Sequence, residues 1–162
     1  MRRLCVRVVT LGLLCAIATQ LEAQSVDTTS LSGLDTVRFS PTLGVDLARS
    51  QRTVSGAVWR DLVVGGGADA YAGRLVSIRF ALVRPDGVRI GSDSLSTFQF
   101  SLGDGIAMPG LDDAVRGMRV GGRRQMILPP QAQGDAGKEG IPGVPVGTSL
   151  VFTVELLRAT DQ

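Results

Sequence analysis

The chain has 162 residues, 44% of them hydrophobic and 20% charged, with a formal net charge of +2, the balance of a globular protein with room for one domain. It contains no histidine, which excludes Ser-His-Asp and Cys-His nucleophile pairs and His-ligated zinc. Its only cysteines, Cys5 and Cys15, lie in an N-terminal apolar stretch, and its single lysine, Lys138, precedes Glu139, so neither a downstream thiol site nor a GK[ST] phosphate loop is available.

Arg2, Arg3 and Arg7 form a positive region ahead of a short apolar run over residues 8–19, and Leu21-Glu22-Ala23 puts a small residue just before Gln24. This is the pattern of a secretory signal peptide over residues 1–23, cleaved near Ala23. The run is shorter than the roughly 20 residues a helix needs to cross a bilayer, so no stable membrane span is expected. Cys15 is a poor lipidation site because Leu14 precedes it where a lipoprotein signal has a small residue. The mature chain is therefore expected to be exported, either periplasmic or secreted. Removing three arginines and Glu22 leaves 14 basic and 14 acidic residues, a mature net charge of zero. A basic nucleic-acid-binding surface is not expected at that balance, and a mature chain without cysteine needs no disulfide.

Residues 24–53 read as an arm or linker, partly disordered: Ser, Thr and Asp cluster there, Ser40-Pro41 breaks the chain, and apolar residues follow no sustained period. Residues 45–49 have the composition of a helical turn. Strand-like patterning begins at Val54, with a strand over residues 58–64 ended by Gly65-Gly66-Gly67. Residues 75–83 alternate, with Val76, Ile78, Phe80 and Leu82 on one face and Ser77 and Arg79 on the other. Pro85-Asp86-Gly87 supplies a turn, after which Val88 and Ile90 continue an apolar face.

A third strand over residues 97–102 turns Phe98, Phe100 and Leu102 inward, and strands over residues 123–128 and 150–157 complete the set. Between them Leu111, Ala114, Val115 and Met118 fall at i, i+3, i+4 and i+7, the stripe of one short helix. Pro109-Gly110 opens it, Gly117 closes it, and Asp112, Asp113 and Arg116 suit its dipole. The order of elements predicts an α+β fold, an antiparallel sheet with one short α-helix on a face.

The run FQFSLGDGIAMPGLDDAVRGMRVGGRR over residues 98–124, followed by Leu128-Pro129-Pro130 and by LVFTVELL over residues 150–157, resembles FKBP-type peptidyl-prolyl isomerases. The resemblance covers residues 56–159, and the glycines of residues 65–73 resemble the family's early G-x-G segment. It implies a twisted antiparallel sheet wrapped around the helix, with an isomerase domain over residues 54–162 and a shallow apolar pocket that takes a proline ring. No cofactor or metal is implied; the partners are proline-containing polypeptides and, in this family, macrolide ligands.

Carried over by position, the resemblance places Phe80, Phe98 and Phe152 at aromatic pocket positions, Phe80 standing where tyrosine is usual. Met108 falls where a backbone N–H bonds a substrate carbonyl, with Ala107 beside it, and Val144 suits the pocket rim. Leu111 replaces the usual floor tryptophan, and Ile90 replaces a phenylalanine. Gly91 stands where aspartate is expected, with Asp93 two residues late, and Gln133 stands where a tyrosine hydroxyl contacts substrate. The resemblance also makes residues 134–147 a flap over the pocket.

Taken without the resemblance, Phe98, Phe100 and Phe152 are ordinary core aromatics, Asp112 and Asp113 are first-turn helix carboxylates, and Arg116, Arg119, Arg123 and Arg124 form a solvated surface. Three functions are compatible with the residues: an exported prolyl isomerase, a non-catalytic peptide-binding module or chaperone of the same fold, and a structural envelope domain acting through residues 24–53.

Overall fold

A computed structural model describes Leu34, residues 36–91 and residues 96–161. The expected signal peptide with Cys15, residues 24–33 and 35 of the arm, and Asp93 lie outside the described residues. Seven strands form one antiparallel sheet: β1 (Gln51–Arg52), β2 (Val58–Val63), β3 (Leu75–Val83), β4 (Arg89–Ile90), β5 (Ser96–Ser101), β6 (Arg123–Leu128) and β7 (Leu150–Thr160). Their order is β1-β2-β6-β7-β3-β4, and β5 shares the β4 edge of β3, facing Leu75 to Phe80 while β4 faces Leu82 and Val83. Two short helices, α1 (Pro109–Val115) and α2 (Asp135–Glu139), complete the α+β fold. No helix among the described residues is long and apolar enough to cross a membrane.

The period-two pattern of the sequence sets which face is buried. Val76 and Ile78 of β3, Met126 and Leu128 of β6, and Leu150, Phe152, Val154 and Leu156 of β7 are almost wholly withdrawn from solvent on the α1 side. Burying one such side chain contributes about 1.5–3 kcal/mol. β7 runs past the expected end at residue 157 because it tracks β3 to its beginning, where Leu75 pairs with Thr160. A bulge between Ser77 and Ile78 keeps the alternation in phase across that pairing. At the same end the Arg74 guanidinium and the Tyr71 hydroxyl grip Asp161 at 2.6 Å each and hold its carboxyl down to about 2.

Helix α1 is shorter than its stripe suggested. Pro109 opens it, and it stops at Arg116, where the Gly117 N–H turns to the Ala70 carbonyl at 2.8 Å. Met118, expected on the helix, is buried in the loop beyond it. The helix lies close against its neighbours because residue 110 has no side chain: a Cβ there would sit 2.9 Å from the Ala132 Cβ and 3.0 Å from that of Ala57. The second helix, α2, falls in a stretch where the sequence shows only Gly and Pro punctuation.

Two expectations need correcting. Residues read as an arm are part of the fold: Val37, Phe39, Leu43, Val45 and Leu47 pack with buried Leu34 on Val58, Ile127 and Val151, on the sheet face opposite α1. Gln125 Nε2 donates to the Leu43 carbonyl at 2.7 Å, and β1 extends the sheet from within the same stretch. The helical turn expected near residues 45–49 is a 3-10 turn, Leu47–Arg49.

Of the four arginines expected on a solvated surface, Arg116, Arg119 and Arg123 are exposed, but Arg124 is only 3% exposed. Its guanidinium lies 3.6 Å from the Trp59 ring centroid, pairs with Asp61 at 2.7 Å, and donates to the Ala114 carbonyl at 2.6 Å. Arg116 and Arg119 are each held by an aspartate at 2.6 Å, Asp112 and Asp69 respectively.

Candidate functional site

Where the inward faces of β3, β5 and β7 meet the start of α1, the core opens into a cavity of about 290 Å³ lined by Phe80, Leu82, Phe98, Ile106, Ala107, Met108, Leu111, Ile141 and Phe152. The sheet supplies its aromatic side. Phe80 and Leu82 project from β3 two residues apart, Phe152 faces them from β7, and Phe98 stands on β5 opposite Ile78. The Phe80 and Phe152 rings are 5.8 Å apart and tilted at 46°, and Phe98 stacks on Phe100 at 5.1 Å, geometries that aromatic quadrupoles favour. Leu111, 5% exposed, forms the floor from the first turn of α1.

No side chain that lines this cavity can ionise, and only the backbone offers polarity. The backbone N–H of Met108, the residue that caps α1, has no acceptor among the described residues, while its carbonyl takes the Leu111 and Asp112 N–H groups at 2.9 Å each. The Ala107 N–H beside it likewise has no acceptor among the described residues, and unused backbone donors on the rim of an apolar cavity fix the orientation of a carbonyl-bearing ligand without wetting the cavity.

Of the residues anticipated from the sequence, Phe80, Phe98, Ala107, Met108, Leu111 and Phe152 come together here. Ile90, Gln133 and Val144 do not. Ile90 pairs with Leu82 in the sheet and packs on the core from the strand edge. Val144 closes a turn by donating its N–H to the Ile141 carbonyl at 2.8 Å, and it is Ile141 that lines the cavity. Gly91 contributes no side chain and adopts φ +91°, a conformation that disfavours aspartate at this position.

Gln133 is 4% exposed, and its amide nitrogen donates to the carbonyls of Leu128 and Thr148 at 2.8 and 2.9 Å, tying the end of β6 to the start of β7. It borders a second, more polar cavity across the Ile106–Met108 wall instead of reaching the apolar one. Gln133→Tyr is therefore expected to lose stability by about 1–3 kcal/mol in urea unfolding, because one hydroxyl cannot serve two buried carbonyls. An equally stable and more active tyrosine variant would return this position to the substrate.

Three lining residues were not anticipated. Leu82 carried a signal, sharing the period-two face of Phe80. Ile106 and Ile141 lie in loops rich in glycine, where no periodicity marks a side chain as facing the cavity.

Comparison with known proteins places this arrangement. The FKBP-type peptidyl-prolyl cis-trans isomerase family matches residues 66–157. FK506-binding protein 3 of Candida albicans is 35% identical over 105 residues, covering 64% of this chain and 24% of that protein. FK506-binding protein 4 of Aspergillus fumigatus is 35% identical over 118 residues, 72% of this chain and 22% of that protein. The chain thus spans about a quarter of the length of these curated relatives. Among solved structures, FkpA from Escherichia coli superposes with a TM-score of 0.59 at 26% identity, over 70% of this chain and 52% of that one. AtFKBP13 does so at 0.55 and 26% identity, over 68% of this chain and 98% of that one. The match runs from the glycine loop after β2 to the inward residues of β7, the same stretch that builds the apolar cavity, and the chain belongs to the FKBP-type peptidyl-prolyl cis-trans isomerase family.

Proposed function

We propose that this protein is an exported peptidyl-prolyl cis-trans isomerase acting on X-Pro bonds of envelope or secreted polypeptides. The observation that carries the reading is the cavity: about 290 Å³, walled by three phenylalanines and aliphatic side chains, with the Met108 N–H on its rim unpaired among the described residues. Rotating an imide is slow because resonance must be broken, a barrier of about 18–20 kcal/mol. The twisted imide separates less charge than either planar form, so a dry apolar surround favours it over both ground states. The proline ring occupies the cavity against Phe152 and Leu111, and the Met108 N–H anchors a neighbouring carbonyl. No proton is transferred and no bond is made.

Export rests on the signal-like residues 1–23, and macrolide ligands that bury a similar ring belong to the same reading. Protein recovered from an exporting host with Gln24 as its first residue is the expected result for that half of the proposal.

The catalytic half is tested by NMR exchange on a short X-Pro peptide across pH. Acceleration well above the uncatalysed rate, nearly flat from about pH 5 to pH 8, is expected, since nothing lining the cavity titrates there. A sharp bell in that range would sink the mechanism. A folded protein that binds the peptide without acceleration would instead be a peptide-binding module, a reading favoured by one observation: neither Gln133 nor Gly91 offers the cavity a polar side chain.

A further inference from the structure

We propose that Asp112, which does not itself line the cavity, is the positioning residue that sets its loop wall. The inference rests on the isomerase reading for its consequence on rate, but on hydrogen bonds alone for its geometry. The wall consists of Ile106, Ala107 and Met108, carried by the segment between β5 and α1. A loop of that kind has no ladder to hold it, and a wall that drifts by an ångström changes both the width of the cavity and the aim of the Met108 N–H.

Asp112 clasps the segment at both ends. Its carboxylate Oδ1 accepts the Gly103 N–H at 2.8 Å, and its own backbone N–H donates to the Met108 carbonyl at 2.9 Å. The six-residue span from Gly103 to Met108 is thereby pinned to one residue of α1. Within the span Asp104 makes the local turn, Oδ1 accepting the Ile106 N–H at 2.8 Å and Oδ2 the Ser101 N–H at 3.2 Å.

The second carboxylate oxygen of Asp112 is occupied by Arg116 one turn on, at 2.6 Å to Nη2, which keeps the group from swinging away from Gly103 and pushes the arginine pKa up. Asp112 is only 8% exposed, so the bond to Gly103 is not exchanged for water at little cost. Asp113, its neighbour, contrasts with it: that carboxylate accepts the Ser55 N–H at 3.2 Å and has no bond to the wall. Two adjacent first-turn aspartates that look equivalent in the sequence therefore have separate duties.

The test compares Asp112→Ala, Asp112→Asn and Ile127→Val in the full chain. Ile127 lies under residues 34–47 on the far face of the sheet, so its variant reports a loss of stability that leaves the wall alone. Well below the melting temperature, Asp112→Ala is expected to lower kcat/KM for an X-Pro peptide by about tenfold or more. Asp112→Asn, which keeps an acceptor for Gly103, is expected to recover most of that loss, and Ile127→Val to stay near wild type.

Amide hydrogen exchange is read on the same samples. Gly103 should lose protection in Asp112→Ala, while the Met126 and Val154 amides in the sheet keep theirs. A folded Asp112→Ala with wild-type rate and Gly103 protection would overturn the proposal, as would an equal loss of rate in Ile127→Val. If the wild type accelerates no peptide, the isomerase reading falls, and the exchange data alone decide whether Asp112 holds the wall.

Discussion

Phe152→Ala is expected to cost about 3–5 kcal/mol of stability and to abolish proline turnover in the same stroke. The ring is 2% exposed near the start of β7, directly between Met126 of β6 and Leu82 of β3. Its partner Phe80, centroid 5.8 Å away, cannot follow it inward because β3 is paired on both edges. The void therefore stays open, and both the transfer and cavity contributions are lost. Urea unfolding measures the first effect, and peptide exchange at a temperature where the variant is still folded measures the second. Phe152→Leu separates them: it refills most of the volume and should recover most of the stability while leaving turnover depressed. An alanine variant destabilised by less than about 1 kcal/mol would show that the site collapses around the missing ring.

Arg124→Met should be almost as damaging, although Arg124 does not line the apolar cavity. Helix α1 has seven residues, far too few to persist by itself, and its last carbonyls have no partners within the helix. Arg124 reaches over from β6 and supplies them, donating from Nη1 to Ala114 at 2.6 Å and to Arg116 at 3.2 Å. The rest of its guanidinium is spent on Asp61 and on the face of Trp59. Removing it strands two carbonyls and one carboxylate at once. We expect a loss of about 3 kcal/mol, below the largest values for broken buried pairs because Asp61 is partly exposed and rehydrates. Arg124→Lys should rescue little, since an ammonium cannot address a carboxylate, two carbonyls and a ring together. A methionine variant within about 1 kcal/mol of wild type in urea would show that α1 is held by its apolar side chains alone.

How far the sequence reveals all this depends on whether a residue sits in a regular element. β3, β6 and β7 repeat every two residues, and their buried sides follow from parity. Arg124 obeys the same parity, sharing a face with Met126 and Leu128, so its burial was legible to anyone who trusted period over charge. The six cavity residues that were anticipated come from strands, from the start of α1 or from the motif just before it that resembles the family's. The misses have a common origin. Ile106, Ile141 and the apolar residues between 34 and 47 lie in segments without period, where tertiary contact alone decides which side chain is turned inward. Gln133 falls outside the apolar cavity for a different reason: matching a position in a family says where a residue stands, but its hydrogen bonds decide which way it turns.

Val151 and Phe152 are neighbours on β7 that look in opposite directions, one beneath residues 34–47 and the other into the apolar cavity. The stretch that resembles a linker is therefore a second coat on the sheet, and the minimal autonomous unit is larger than the span that family likeness marks out. A fragment trimmed to begin at residue 54 would bare Val58, Ile127 and Val151 together, giving two such fragments a ready-made greasy seam along which to stick. Whoever trims this protein to its recognisable part would be selecting for precipitation rather than for a smaller enzyme.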